Sequence, residues 1–360
     1  MRRRLRTVAV LALAVGLMAF FLRSADLERV AAAVRDARWD LLGAALVVTC
    51  ATYVVRAIRW CWLLRPLGDV RFRVALRATV VGFAASAILP GRVGEVLRPY
   101  VLARREGLSV SAALATIVLE RLLDVLAVLA LLGVAVLIGA PGSAAGTGLL
   151  GTVRSGAALA GLAAAAAVGA AFVAAGHPDR VARAVERLGA ILPARAAGVL
   201  TRIASRFIEG LAVVRNRRVL AVAGVWSLVH WAAAAAVVWL VTVAFDIALP
   251  VSGAAVLMAL TVVGVSLPTP AGIGGYHAAY QVGATLLYGA PDAAAVAAAL
   301  VLHATSFLPV TVVGVVCMTQ EGVHLTAVRS FGGAGAEENR SAAPADESAV
   351  AASAAGGRRT

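Results

Sequence analysis

The sequence predicts an all-α polytopic integral membrane protein with about six spanning helices and two Pro/Gly-broken re-entrant hairpins arranged as an inverted repeat. Three observations predict it. Of 360 residues, 61% are hydrophobic and only 14% are charged, against roughly half and a quarter in a water-soluble domain. That is too few charges to cover a soluble surface of this size. Apolar runs long enough to cross ~30 Å of hydrocarbon recur along the chain. Two further apolar stretches are broken at their centres by Pro and Gly, which remove a backbone donor and weaken the helix, so each reads as two short helices joined by irregular backbone.

The first element opens Met1-Arg2-Arg3-Arg4-Leu5-Arg6 and continues as an apolar run to Leu22. This is the pattern of a signal peptide or short anchor. No small-x-small cleavage site follows, so 1–22 is expected to be an uncleaved anchor helix. Further spans are expected at about 41–64, 110–139, 149–175, 219–244 and 292–318. The broken stretches are 74–104, around Leu89-Pro90-Gly91-Arg92-Val93-Gly94-Glu95, and 251–289, around Leu267-Pro268-Thr269-Pro270-Ala271-Gly272-Ile273-Gly274-Gly275. Pro90, Gly91, Gly94, Pro268, Pro270, Gly272 and Gly274 are the expected broken-helix positions. Two ordinary Pro-kinked spanning helices are the alternative.

Net charge is +14, and every basic residue is Arg. Such an excess also suits nucleic acid, but in a membrane protein cationic loops mark the cytoplasmic side, so no nucleic-acid partner is expected. The stretch 56–77 carries Arg56, Arg59, Arg65, Arg71, Arg73 and Arg77 against Asp69, and 177–218 carries nine Arg against three acids. The connections at 140–148 and 245–250 hold none. The first two are expected to be cytoplasmic, as are both termini, and the last two outside. Segment 23–40 strains this rule, because it belongs outside yet holds four Arg balanced by four acids.

If both broken stretches dip and return, the chain reads crossing, dip, crossing twice in opposite orientations, which is an inverted repeat. A local match supports it: Pro90-x-x-Val93-Gly94 followed by Tyr100 aligns with Pro270-x-x-Ile273-Gly274 followed by Tyr280. The expected organisation is the anchor, then a membrane domain at 23–331 with halves at 41–139 and 219–318, then a tail at 332–360 too poor in large apolar residues to fold. Between the halves, 177–218 reads as amphipathic helices that lie on the anionic inner leaflet or pack on the protein's own loops.

The informative residues are Glu120, Arg121 and Asp124, near the middle of a spanning run. Three charges there cost roughly 8–10 kcal/mol on the insertion scale. Seventeen Val, Ile or Leu in that run return about 5–10 kcal/mol. With the sums nearly cancelling, these charges must face protein or water. Arg121 sits three residues before Asp124 and can pair with it, which leaves Glu120 needing a cation. The broken segment upstream offers Arg92 and Arg98 around Glu95. Two readings stand: a buried ion network that only fixes packing, or a site where Arg92, Arg98 and free N–H groups at a half-helix start receive an anion such as phosphate.

His230, His277 and His303 fall on three different segments without metal-ligand spacing, and Cys50, Cys61 and Cys317 form no CxxC or CxxH pair. No P-loop, GxSxG elbow or HExxH motif is present. Neither a cofactor nor a metal is expected.

The sequence resembles the flippase-like membrane domain of lysylphosphatidylglycerol synthases, which also occurs as a stand-alone protein. The resembling pieces are Arg56-x-x-Arg59-Trp60-x-x-Leu63-Leu64, Leu89-Pro90-Gly91-Arg92-Val93-Gly94-Glu95-x-x-Arg98, Glu120-Arg121-x-x-Asp124 and Pro268-Thr269-Pro270-Ala271-Gly272-Ile273-Gly274, within about 25–320. The resemblance implies a bacterial inner-membrane protein that moves an anionic or aminoacylated phospholipid between leaflets, or assists a separate lipid-modifying enzyme. Two departures matter: His277 stands where the group usually has Glu, and Ala271 where Gly is common. His277 thereby joins Arg92, Glu95, Arg98, Glu120, Arg121 and Asp124 as candidate substrate-binding residues. After Met318 only about 40 mostly polar residues remain, too few for an aminoacyl-transferase domain, so lysyl transfer is not expected. Three functions stand open: lipid translocator, accessory subunit presenting lipid or polyprenyl substrates to another enzyme, and secondary transporter of a small anion.

Overall fold

The computed structural model describes residues 16–19, 21–23, 25–88, 93–138, 212–266 and 269–320, with 166, 170, 176, 177, 180, 183 and 187 singly between them. Residues through Val315 form one compact unit; of the second, Val316–Thr360, only the last residues of a helix are described. The span expected at 149–175 and the tail at 332–360 lie outside the described residues, as do most of the anchor and of 177–218.

Nine α-helices can be bounded among the described residues, 16–19, 21 and 22 are also helical, and no strand occurs among the described residues. The short α1 (Leu27–Asp36) starts at Asp26, whose carboxylate accepts from the Arg29 N–H at 3.2 Å. Then follow α2 (Trp39–Leu64), α3 (Phe72–Ile88), α4 (Gly94–Glu106) and α5 (Val110–Leu137), and in the second half α6 (Arg217–Ala244), α7 (Val251–Ser266), α8 (Gly275–Tyr288) and α9 (Asp292–Gln320). Ser109 and Asn216 cap α5 and α6 by accepting from the third N–H on. Helices α2, α6 and α9 are long and apolar enough to cross a membrane, and α5 is 28 residues long but carries Glu120, Arg121 and Asp124. All four match expected spans.

Both interrupted stretches are pairs of short helices. At ~1.5 Å per residue, α3 and α4 are about 26 and 20 Å long, and α7 and α8 about 24 and 21 Å. Each falls short of a ~30 Å hydrocarbon core. The ends of each pair also meet. Arg71, just before α3, donates from Nε to Glu106 Oε1 at the end of α4 at 3.1 Å. Near the start of α7, Gly253 lies so close to the Tyr288 ring at the end of α8 that a Cβ would stand 2.8 Å from it. The chain enters and leaves each pair at one level, as a re-entrant hairpin does.

The two hairpins are entered from opposite sides. The Arg38 N–H at the start of α2 donates to the Ala244 carbonyl at the end of α6 at 2.9 Å, and further along Arg59 reaches Ser227. Helices α2 and α6 therefore run antiparallel. Since α3 follows the end of α2 and α7 follows the end of α6, one hairpin departs from each face of the bundle. The halves are inverted copies: long helix, short pair, long helix.

Glycine marks the same joint in both. A Cβ on Gly82 of α3 would lie 2.9 Å from the Gly94 carbonyl and 2.7 Å from Arg98 Cβ. In α7, a Cβ on Gly264 would collide with the Gly275 carbonyl and lie 2.7 Å from Ala279 Cβ. Gly94 thus corresponds to Gly275, one residue on from the Gly274 that the sequence match selects. Both return helices end on a left-handed glycine, Gly107 (φ 68°) and Gly289 (φ 64°), with the next long helix starting three residues later. In the second hairpin the connection is a 3₁₀ turn, Pro270–Gly272, with Ala271 left-handed at φ 51° and Gly272 at φ 74°. That conformation costs a non-glycine residue roughly 1–2 kcal/mol, which explains why glycine suits position 271.

Elsewhere small residues allow close helix packing, as expected where lipid supplies no hydrophobic drive between helices. Ala254 and Ala255 of α7 and Ala295, Ala297, Ala298 and Ala299 of α9 are buried in the main core. Gly314 of α9 abuts Ala84 and the Val80 carbonyl of α3. Large apolar side chains such as Val47, Leu137, Val263 and Val312 lie on the outer surface, where lipid tails would receive them.

Two expectations follow. On a Cys-free background, Asp69→Cys and Arg105→Cys should react with an impermeant maleimide from one side of the membrane and Ala248→Cys from the other; reaction of the first two from opposite sides would show that α3 and α4 together cross. Gly94→Ala should lower the thermal unfolding midpoint, costing at least the ~1–3 kcal/mol of an overpacked core. Gly133→Ala, with no atom within 4 Å of the new methyl, should be neutral or stabilising by up to about 1 kcal/mol.

Candidate functional site

The site is assembled from helix-face spacing. On α5, Glu120 and Asp124 are one turn apart and share a face. On α2, Arg56, Arg59 and Trp60 sit at i, i+3 and i+4, and on α6, Ser227, His230 and Trp231 repeat that spacing. Helix α4 supplies Glu95 and Arg98 one turn into the first hairpin's return.

These faces meet in a buried ion cluster. Arg59, fully buried, spans both α5 carboxylates, reaching Glu120 Oε1 at 2.9 Å from Nη2 and Asp124 Oδ1 through a short contact from Nη1. The same Nη1 donates to Ser227 Oγ at 2.8 Å. Glu120 also accepts from Arg98 Nη1 at 2.8 Å, and Asp124 accepts from Trp231 Nε1 at 2.9 Å. The Arg98 guanidinium lies 3.9 Å over the Trp60 ring, and Trp60 Nε1 donates to Thr116 Oγ1 at 3.0 Å. Arg121 lies 3.4 Å from both Asp124 and Glu95. Four helices thus converge on two carboxylates at membrane depth.

The cluster has a surplus cation. Among the described residues it holds four guanidinium groups, on Arg56, Arg59, Arg98 and Arg121, and three carboxylates, on Glu95, Glu120 and Asp124. Arg56 is the one with no carboxylate in ion-pair range. It is 9% exposed, stands 4.7 Å over the Phe83 ring, and its Nη1 has no hydrogen-bond partner. Arg98 Nε and Nη2 and Arg121 Nε are also unpartnered. Buried donors are normally satisfied, so a row of unmet guanidinium N–H groups indicates a place for an acceptor.

Two cavities adjoin them. One of about 230 Å³ is walled by Arg56, Gly94, Glu95, Arg98 and Arg121 on one side and by Thr269, Ala271 and Gly272 of the second hairpin's turn on the other. A second of about 180 Å³ lies between α2, α3, α6, α7, α8 and α9. Arg56, Phe83, Trp231, Val265 and Phe307 line both.

The structure brings together Glu95, Arg98, Glu120, Arg121 and Asp124. Glu120 has two cations, Arg98 and Arg59. His277 lies apart: it lines neither cavity, makes tilted ring contacts with Phe21 and His303, and its Nδ1 accepts from the Gly274 N–H at 3.3 Å to cap α8. His303 Nε2 donates to the Ala271 carbonyl at 2.9 Å, tying α9 to the turn. Pro90, Gly91, Arg92 and Pro268 lie outside the described residues. Among the described residues, no cluster of His, Cys, Asp and Glu has the form of a metal site.

Sequence reasoning assigned Arg56 and Arg59 to the cytoplasmic charge count, and this is corrected. Both are inside α2 and buried, so they are no part of the loop charge. The signal was available: two Arg and a Trp on one face of an apolar run raise the same insertion cost that singled out α5. The loop itself holds Arg65 and Arg71 against Asp69, and Arg73 and Arg77 are exposed on the first turns of α3.

Removing one member of the cluster should leave a buried charge unpaired. Arg59→Met is expected to destabilise by about 3–5 kcal/mol. Adding Asp124→Asn to it should cost less than the sum of the two single changes, measured by tryptophan fluorescence during unfolding in micelles.

Residues 7–314 match the family described as lysylphosphatidylglycerol synthase TM region. A curated relative, glycosyltransferase AglD of Haloferax volcanii, is 30% identical over 354 residues, covering 90% of this chain and 56% of that protein. The chain therefore spans little more than half the length of that relative.

Proposed function

Because the chain belongs to the lysylphosphatidylglycerol synthase TM region family, we propose that it moves a phospholipid-like amphiphile between leaflets, with the phosphate held in the larger cavity. The observation that carries this reading is the set of unpartnered N–H groups on Arg56, Arg98 and Arg121 beside a cavity between two oppositely entered hairpins. Charged groups at membrane depth are expensive and commonly line a translocation path. Guanidinium forks match phosphate geometry. Lipid tails would remain among the exposed Val and Leu of the outer surface, with only the headgroup entering protein.

The reading includes no covalent step. Glu120 and Asp124 are each held by guanidinium groups, which leaves neither as a free general base. We place the protein in a bacterial inner membrane, with the loop at 65–71 and both termini on the cytoplasmic side. That loop holds Arg65 and Arg71, the exposed start of α3 adds Arg73 and Arg77, and the connection at 245–250 holds no Arg.

A second reading is favoured by the comparison with a longer protein named a glycosyltransferase: the chain would act as a membrane subunit that presents a lipid to a separate lipid-modifying enzyme.

Purified protein in liposomes should speed leaflet exchange of fluorescent phosphatidylglycerol at least tenfold over empty vesicles. Arg56→Gln should remove most of that acceleration while the unfolding midpoint holds. Exchange no faster than in empty vesicles, across several headgroups and imposed ion gradients, would move the assignment to the presenting subunit.

A further inference from the structure

The two cavities differ in chemistry, and the difference bears on which headgroup is accepted. Arg56 stands at their junction. On one side the wall is cationic: Arg56, Arg98 and Arg121 face one carboxylate, Glu95, which lies 3.4 Å from Arg121. On the other side the lining contains no carboxylate. Its polar groups apart from Arg56 are Thr49, Thr52, Tyr53, His230, Thr261, Tyr276, Ser306 and Trp231, whose Nε1 donates to Asp124.

Three of those hydroxyls already spend their hydrogen on backbone. Thr52 donates to the Thr49 carbonyl at 2.7 Å, Tyr53 to the Ser306 carbonyl at 3.0 Å, and Thr261 to the Met258 carbonyl at 2.7 Å. Their oxygens keep lone pairs for a donor. Thr49 Oγ1 and His230 Nδ1, both buried, have no partner. A hydroxyl, which gives one hydrogen and accepts another, fits these groups. An ammonium does not. In the smaller cavity it would stand beside Arg56 with no carboxylate in the lining to offset it, and in the larger it would face three guanidinium groups against one carboxylate, Glu95, already beside Arg121. Like charges in a site of reduced dielectric repel strongly, and a buried cation without a partner is costly.

We infer that the headgroup accepted here is a phosphate carrying an uncharged, hydroxyl-bearing substituent such as glycerol or a sugar, with the phosphate at Arg56 and the hydroxyls in the smaller cavity, and that cationic aminoacylated headgroups are rejected. This rests on the lipid-handling reading above and narrows it. Joined through Arg56, the two cavities fall within the ~300–1,000 Å³ of ordinary ligand pockets, enough for a headgroup of that kind.

The test uses the full chain in micelles and titration calorimetry with short-chain lipids: phosphatidic acid, phosphatidylglycerol, lysyl-phosphatidylglycerol, and the lysyl ester with both amines acetylated. Phosphatidylglycerol should bind at least tenfold more tightly than its lysyl ester. The acetylated ester, bulkier but uncharged, should recover part of that loss. Thr261→Val, which keeps the side-chain shape, should narrow the gap between phosphatidylglycerol and phosphatidic acid at least threefold. A lysyl ester that binds as well as phosphatidylglycerol, or an acetylated ester as weak as the cationic one, would overturn the headgroup inference while leaving lipid handling intact. Failure of every lipid to bind, phosphatidic acid included, would remove both readings. Glycerol phosphate binding as tightly as the lipids would replace the lipid by a free anion.

Discussion

The hold of Arg59 on Glu120 and Asp124 is the constraint on which the rest of the structure depends. Helix α5 carries more charge than a lipid-facing helix can bear, and insertion alone leaves it near balance. It becomes a stable membrane element only when α2 brings Arg59 against it, α4 brings Arg98 and α6 brings Ser227 and Trp231. The same contacts set the rotation of α2 and α6 about their axes and draw the first hairpin into the bundle. Packing and polar satisfaction are here one requirement, because a rotation of any of the four helices would take a partner from a buried charged group.

Around that cluster, the inverted repeat is built with glycine. Gly82 against Gly94 and Gly264 against Gly275 bring the paired short helices into backbone contact, closer than side chains would permit. Close approach turns the backbone of the paired helices away from lipid, where an unpaired peptide group is costly. The halves then diverge in chemistry. Arg98 in the first hairpin corresponds to Ala279 in the second, so the ion cluster belongs to one repeat, while the second offers a turn with Thr269 and Ala271 to the opposite wall.

Much of the fold was legible in the sequence because hydrophobic length and Pro/Gly interruption are local signals. The broken stretches at 74–104 and 251–289, the four long helices and the anomalous charges of α5 all rest on such signals. The partners of those charges were not local. Arg98 was in view because it lies in a neighbouring motif, whereas Arg59 and Trp231 are 65 and 107 residues from Asp124. Spacing on α2 marks a face but does not say which helix it meets. Gly82 and Gly264 were likewise indistinguishable among 35 glycines, since what matters is the carbonyl opposite them. His277 stood out through its departure from the resembled group, yet its position makes it a helix cap.

The hairpins that depart from opposite faces also reshape the barrier that a polar group meets. In plain bilayer an ion confronts an uninterrupted low-dielectric slab, with an idealised Born cost of order 20 kcal/mol. Here the tip of α4 with Glu95 and the turn with Thr269 and Ala271 come from opposite directions to wall one cavity beside Arg56. On the proposed path the slab would be divided into two shorter steps, with a compensating charge fixed at the division. On the lipid-handling reading proposed above, such an arrangement would lower the barrier for an anion and leave it high for a cation through the position of the charge.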